Sequence, residues 1–146
     1  VNHSDEPVST VMRTEFASVA SKERLDLADD VMKLGRIRHL PVVDGRRLVG
    51  VVSQRDLLAA GLSRALDFGG DQRRSFMRSV EVAEVMAARP ITVQPGTTLR
   101  EAALLMVQHQ IGCLPVVDEA GGAVGLVTET DLLRAIYEID APAPPG

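Results

Sequence analysis

A hydroxyl followed three residues later by a carboxylate occurs twice in this chain, as Ser53-Gln54-Arg55-Asp56 and as Thr128-Glu129-Thr130-Asp131. Set at the start of a helix, such a pair can do two kinds of chemistry. The hydroxyl stands among free backbone N–H groups, where the helix dipole favours a phosphate. The carboxylate, one turn in, can accept hydrogen bonds from both hydroxyls of a ribose, each worth about 1.5–3 kcal/mol when the acceptor is charged. The same spacing is also a capping box, in which both side chains serve only to start the helix. At the level of sequence both readings stay open.

The remaining reactive side chains form no constellation. His3, His39 and His109 lack metal-ligand spacing, and the single cysteine, Cys113, has no partner for a disulfide or a metal. Cys113 reads as a packed thiol rather than a nucleophile. Asp44 and Asp118 read as turn residues, and Gly69-Gly70 and Gly121-Gly122 as turns rather than a phosphate loop. No nucleophile–base pair is visible, so the chain is expected not to be an enzyme in its own right, and neither cofactor nor metal is required.

The totals narrow the classes further. The 146 residues suffice for one domain or for two half-domains sharing a core. Apolar residues make up 45% and charged residues 25%, ordinary for a globular protein. A net charge of −4 with 3% aromatics supplies neither the basic surface nor the stacking platforms of a nucleic-acid binder. Arg73, Arg74 and Arg78 read as a solvated face. The longest apolar run, Ala102 to Val107, falls far below the roughly 20 residues of a membrane span. The first residues are polar and acidic and show no secretory leader, so the expected location is cytoplasmic, with no membrane partner.

The elements that must position the two hydroxyl–carboxylate pairs come as a repeat. Val8-Ser-Thr-Val-Met12 is echoed by Val82-Ala-Glu-Val-Met86, His39-Leu-Pro-Val-Val-Asp44 by Cys113-Leu-Pro-Val-Val-Asp118, and Gly50-Val-Val-Ser by Gly125-Leu-Val-Thr. Met12 and Met86 are 74 residues apart, as are Pro41 and Pro115, whereas Asp56 and Asp131 are 75 apart. The extra residue falls in a turn, where an insertion costs least. Two copies point to a pseudo-symmetric pair rather than a solenoid.

Each copy reads as β-α-β-β-α, an α/β (α+β) unit. A short turn ending in Met precedes an extended stretch, Phe16 to Val19 or Ile91 to Val93. An amphipathic helix follows, with Leu25, Ala28, Val31 and Met32, or Leu99, Ala102, Ala103 and Met106, on one face. Thr98 with Glu101 predicts a capping box at the second of these. Leu40 to Val43 and Leu48 to Val52 then form a hairpin about Asp44-Gly45, and Leu114 to Val117 and Ala123 to Val127 one about Gly121-Gly122. The last helices start at Ser53/Gln54 and Thr128/Glu129, anchored by Leu57-Leu58 and Leu132-Leu133. Copy one spans residues 8–62 and copy two 82–138. The connecting segment, 63–81, has room for a helix that the pattern does not place, and 139–146 is expected to be a disordered tail.

These residues resemble a tandem pair of CBS domains, the module named after cystathionine β-synthase. The carrying signature is aliphatic-Pro-Val-Val-Asp, a hairpin, then Gly-aliphatic-aliphatic-Ser/Thr-x-x-Asp, present twice. The resemblance implies two motifs packed through their small sheets, with clefts between them for adenosine-containing ligands: AMP, ADP, ATP, S-adenosylmethionine or NAD. It implies a homodimer that regulates an unidentified effector protein, as in energy sensing, with this chain as a stand-alone member. On the resemblance, Asp56 and Asp131 take the ribose, and Ser53 and Thr128 a phosphate or the ribose. Ala17, Ser18 and Val19, and Ile91, Thr92 and Val93, line the adenine pockets. Leu40-Pro41 and Leu114-Pro115 close the apolar side, beside His39. Arg55 meets phosphate, as can Arg36 and Arg38. The pattern Pro90-Ile91-Thr92-Val93 favours the Thr128/Asp131 cleft as the stronger adenosine site. The alternative is a ligand-free dimerisation scaffold of the same fold, with the Leu-Pro-Val-Val strands as core.

Overall fold

The computed structural model describes residues 3–65 and 70–139. Gly69 and the expected tail, apart from Ile139, lie outside these. The chain divides into two compact units that cut across the sequence repeats. One joins residues up to Phe16 to those from Ile91 on, and the other is Ala17–Pro90.

The second unit holds α1 (Leu25–Gly35), β1 (His39–Asp44), β2 (Arg47–Ser53), α2 (Gln54–Ala65), α3 (Gly70–Ser79), a 3-10 turn Val82–Glu84 and β3 (Ala87–Ala88). Its sheet has the antiparallel order β1-β2-β3, and Val19 pairs in parallel with Val42 on the outer side of β1. The first unit holds a 3-10 turn Val8–Thr10, α4 (Leu99–His109), β4 (Cys113–Val117), β5 (Ala123–Thr128) and α5 (Glu129–Ile136). Here β4 pairs antiparallel with β5, Val93 lies parallel to Val116, and Arg13 pairs with Leu126. The two units are copies of one plan: Arg13 occupies against β5 the place that Ala87 occupies against β2.

The expected helices and hairpins are present, and the amphipathic faces point inward. Leu25, Ala28 and Met32 of α1 and Leu99, Ala102 and Met106 of α4 are buried. They pack on the Leu-Pro-Val-Val strands to make one core per unit, with Leu40, Val42, Val52 and Leu57 in one and Leu114, Val116, Val127 and Leu132 in the other. The Thr98–Glu101 capping box forms as expected, whereas Arg24 opens α1 without a side-chain cap.

Four features differ from the sequence reading. Only the first leucine of each anchoring pair is buried; Leu58 is 45% and Leu133 53% exposed, because consecutive helical residues are about 100° apart and cannot share one face. The first hairpin turns on Gly45-Arg46, with Asp44 still paired to Arg47, and Gly45 carries the positive φ of 65°. Asp44 is more than a turn residue: its carboxylate accepts from Ser21 N–H at 2.9 Å and Ser21 Oγ–H at 2.6 Å, which holds it below the usual carboxylate range. The unplaced helix of the connection is α3, which buries Met77 against the second unit's core and pairs Arg74 with Asp30 at 3.0 Å.

The cut across the repeats has a hydrogen-bond basis. The opening segment of repeat one closes the start of α4: Val8 N–H donates to Thr97 O at 2.7 Å and Leu99 N–H to Glu6 O at 2.9 Å. The opening segment of repeat two does the same at α1, where Val82 N–H donates to Glu23 O at 2.7 Å and Leu25 N–H to Val80 O at 3.0 Å. These backbone bonds satisfy groups that a helix start leaves unpaired, and Val8 and Val82 are fully buried in the two cores.

Candidate functional site

Both hydroxyl–carboxylate pairs cap helices. In the second unit Ser53 N–H donates to Asp56 Oδ2 at 2.9 Å, and Asp56 N–H donates to Ser53 Oγ at 3.0 Å. In the first unit Thr128 N–H and Thr128 Oγ1–H donate to Asp131 Oδ2 at 2.9 and 3.0 Å, and Asp131 N–H reaches Thr128 Oγ1 at 3.4 Å. The cap therefore uses the same carboxylate oxygen in both copies and leaves Oδ1 for something else.

That other oxygen separates the sites. Asp131 Oδ1 accepts from Arg13 Nε at 3.3 Å, with the aspartate side chain 5% exposed. Among the described residues Asp56 has no such partner, since the equivalent of Arg13 is Ala87, and its side chain is half-buried rather than sealed. Arg13 was not legible as a site residue from motif spacing. The signal was nevertheless there: aligning the repeats at Met12 and Met86 sets an arginine against an alanine.

A cavity of about 400 Å³ opens beside Asp131, lined by His3, Glu6, Thr10, Val11, Arg134, Ala135, Glu138 and Ile139. Of the expected ligand residues it includes Asp131 alone. At its rim His3 bridges Glu6 and Glu138, each at 2.8 Å, and these two hydrogen bonds raise the imidazole pKa above its ordinary value.

The CBS domain family matches the chain twice, over residues 8–63 and 82–138. The chain belongs to the CBS domain family. It is 32% identical over 139 residues to a CBS domain-containing protein of Dictyostelium discoideum, covering 94% of this chain and 96% of that one. It is 35% identical over 118 residues to an inosine-5'-monophosphate dehydrogenase of Korarchaeum cryptofilum, where the match spans 81% of this chain but only 22% of the enzyme. Among solved structures, CBSX2 in complex with AMP superposes with a TM-score of 0.77 at 30% identity, covering 92% of this chain and 98% of that one.

Within this CBS pair the remaining expected residues fall into three groups. Leu40, Pro41, Leu114 and Pro115 are all less than 2% exposed and serve the cores. Val19 and Val93 are buried strand partners, whose N–H groups donate to Pro41 O and Pro115 O at 3.1 and 3.0 Å. The accessible group comprises Ala17, Ser18, Arg36, Arg38 and Arg55, which are exposed, and His39, Ser53, Ile91, Thr92 and Thr128, which are half-buried. Arg36 also ends α1 in the left-handed conformation, the place Gln110 takes after α4. Among the described residues no cluster of three or more His, Cys, Asp or Glu could hold a metal ion, and no helix is long and apolar enough to cross a membrane.

Cys113, the CBS counterpart of His39, opens β4 opposite Thr128 and is 7% exposed. Burial above all, then the charge of Asp131, pushes its thiol pKa up to about 12, against a smaller opposing pull from Arg13. The thiolate is the reacting species, and an unfolded cysteine titrates near about 8.5. Iodoacetamide at pH 8 is therefore expected to label the native protein at least about a hundredfold more slowly than the urea-unfolded chain. Comparable rates would show an open, activated thiol instead.

Proposed function

We propose that this CBS pair is a regulatory module that binds an adenosine-containing nucleotide of the AMP, ADP or ATP class and modulates a partner protein. The observation that carries the proposal is the unspent half of the Asp56 carboxylate at the start of α2. Its cap with Ser53 uses Oδ2, and Oδ1 is left for ribose hydroxyls. The exposed Arg55 beside it supplies a phosphate-binding charge, and the helix start adds its N–H groups. The likeness to CBSX2, solved with AMP, supports the same ligand class. Ser18, Thr92 and Ile91 are accessible enough to contribute to adenine recognition.

In this proposal the module works as a homodimer. Val107 of α4, Leu133 and Ile136 of α5 and Tyr137 just beyond it are all more than two-fifths exposed, apolar surface suited to a second copy. Regulation then follows if ligand favours one arrangement of the dimer, by no more than its differential affinity for the two.

Calorimetric titration with AMP, ADP, ATP, NAD and S-adenosylmethionine tests the proposal. One of these should bind at micromolar to low-millimolar strength, and Asp56→Ala should weaken it about tenfold or more, the equivalent of one lost charge-assisted hydrogen bond. The complete caps favour a second reading, a ligand-free scaffold. If no ligand binds at several millimolar, Asp56 and Asp131 serve only as caps, and the scaffold stands.

A further inference from the structure

We infer that Arg13 is a built-in occupant of Asp131, an internal counter-ion that holds the carboxylate oxygen a ribose would use and must be displaced before a nucleotide can engage the first unit's site. The inference rests on the ligand class proposed above and adds a regulatory asymmetry between the two CBS repeats.

Three observations carry it. First, Arg13 Nε takes the one Asp131 oxygen that the Thr128 cap leaves over. A ribose offers two hydroxyls, and Arg13 already takes one of the two acceptor sites on that oxygen, so ligand and Arg13 compete for one atom. Second, the contact is specific to one copy. Arg13 is paired with Leu126 through Arg13 N–H to Leu126 O and Leu126 N–H to Arg13 O, at 2.9 and 3.0 Å. Ala87 is held in the same way against Val51 and carries no charge to offer Asp56. Third, the pair is poorly completed. It is a single bond of 3.3 Å rather than a two-pronged one, and among the described residues Arg13 Nη2 is buried without a hydrogen-bond partner, as is Nε of Arg134 one turn beyond Asp131. Permanent arginine–carboxylate pairs are commonly short and bidentate, and a buried guanidinium N–H left unpaired is costly. The geometry is that of a releasable latch. Asp56 therefore fills first, and Asp131 fills only at higher ligand concentration.

Two measurements test this. AMP is titrated calorimetrically into wild type, Asp56→Ala, and Asp56→Ala combined with Arg13→Ala or Arg13→Gln. Either Arg13 change leaves the backbone pairing to Leu126 in place, and glutamine keeps much of the packed stem. Residual AMP affinity in the Asp56→Ala background is expected to rise about tenfold or more when Arg13 is replaced. In parallel, melting temperatures are measured without ligand for Arg13→Gln, Asp131→Asn and the double variant. The double variant should lose less than the two single losses combined. Additive losses would show that the pair is absent in solution and overturn the inference. Binding that Asp56→Ala abolishes and no Arg13 change restores would overturn the latch alone. No AMP binding in any variant, wild type included, would remove the AMP reading and the latch together.

Discussion

Leu114→Ala is expected to lower the free energy of unfolding by about 2–5 kcal/mol, the range for deleting a buried leucine and leaving a cavity. Leu114 is fully buried and belongs to the core that β4 and β5 share with α4 and α5. Its neighbours Val116, Leu99 and Val127 are just as sealed, so no side chain is free to collapse into the space. Against a typical total stability of about 5–15 kcal/mol, this is a large fraction. Leu104→Ala is the control. That side chain is 54% exposed on the outer face of α4, and its loss should stay within about 0.5 kcal/mol. Denaturant midpoints at constant slope measure both. Equal effects would mean that α4 presents a different face to its strands.

Gly50→Ala is expected to destabilise by about 1–3 kcal/mol, through overpacking rather than backbone conformation. Gly50 does not have a positive φ, so a change to alanine would ordinarily be neutral or favourable by about 0.4–1 kcal/mol. Space decides the sign. An added Cβ would stand 2.5 Å from Met86 Sδ and 2.9 Å from the carbonyl oxygen of Ala87. The thioether can swing away, but the carbonyl belongs to β3 and cannot retreat without loosening its pairing to β2. The equivalent change, Gly125→Ala, meets Met12 Sδ at 2.6 Å but the Arg13 carbonyl only at 3.2 Å. It should therefore cost less, because the first adjustment falls on a flexible side chain. Thermal unfolding of the two variants measures the difference. A stabilised Gly50→Ala protein would show that the opening segment does not sit against β2. Because Gly125 seats the segment that carries Arg13, the same substitution should also loosen the contact to Asp131.

Much of this protein was legible in its sequence because the signals are local. The helical spacing of Leu25, Ala28 and Met32, the Thr98-x-x-Glu101 box and the glycine in each hairpin act over three or four residues, and each produced the expected element. The repeat in matching register identified a CBS pair, and the matches over 8–63 and 82–138 agree. The helix α3 was not placed because its outward residues are mostly polar and its hold on the core comes chiefly from Met77. In sequence Leu58 and Leu133 look like anchors because a doublet of leucines resembles one apolar feature, although helical geometry turns the two apart.

The sequence by itself determined the elements, their order, their duplication and the residues that cap each final helix. The tertiary structure decided which repeat's body each opening segment closes. Periodicity carries no information on that point, because β2 and β5 each offer a glycine for a methionine to cover. It also decided that the two matching carboxylates are not equivalent. Asp131 and Arg13 are 118 residues apart in the chain, and only long-range pairing of Arg13 with Leu126 brings the charge onto the acid. Local spacing specified a carboxylate at each helix start; what that carboxylate is free to bind depends on the side chain that folding sets across from it.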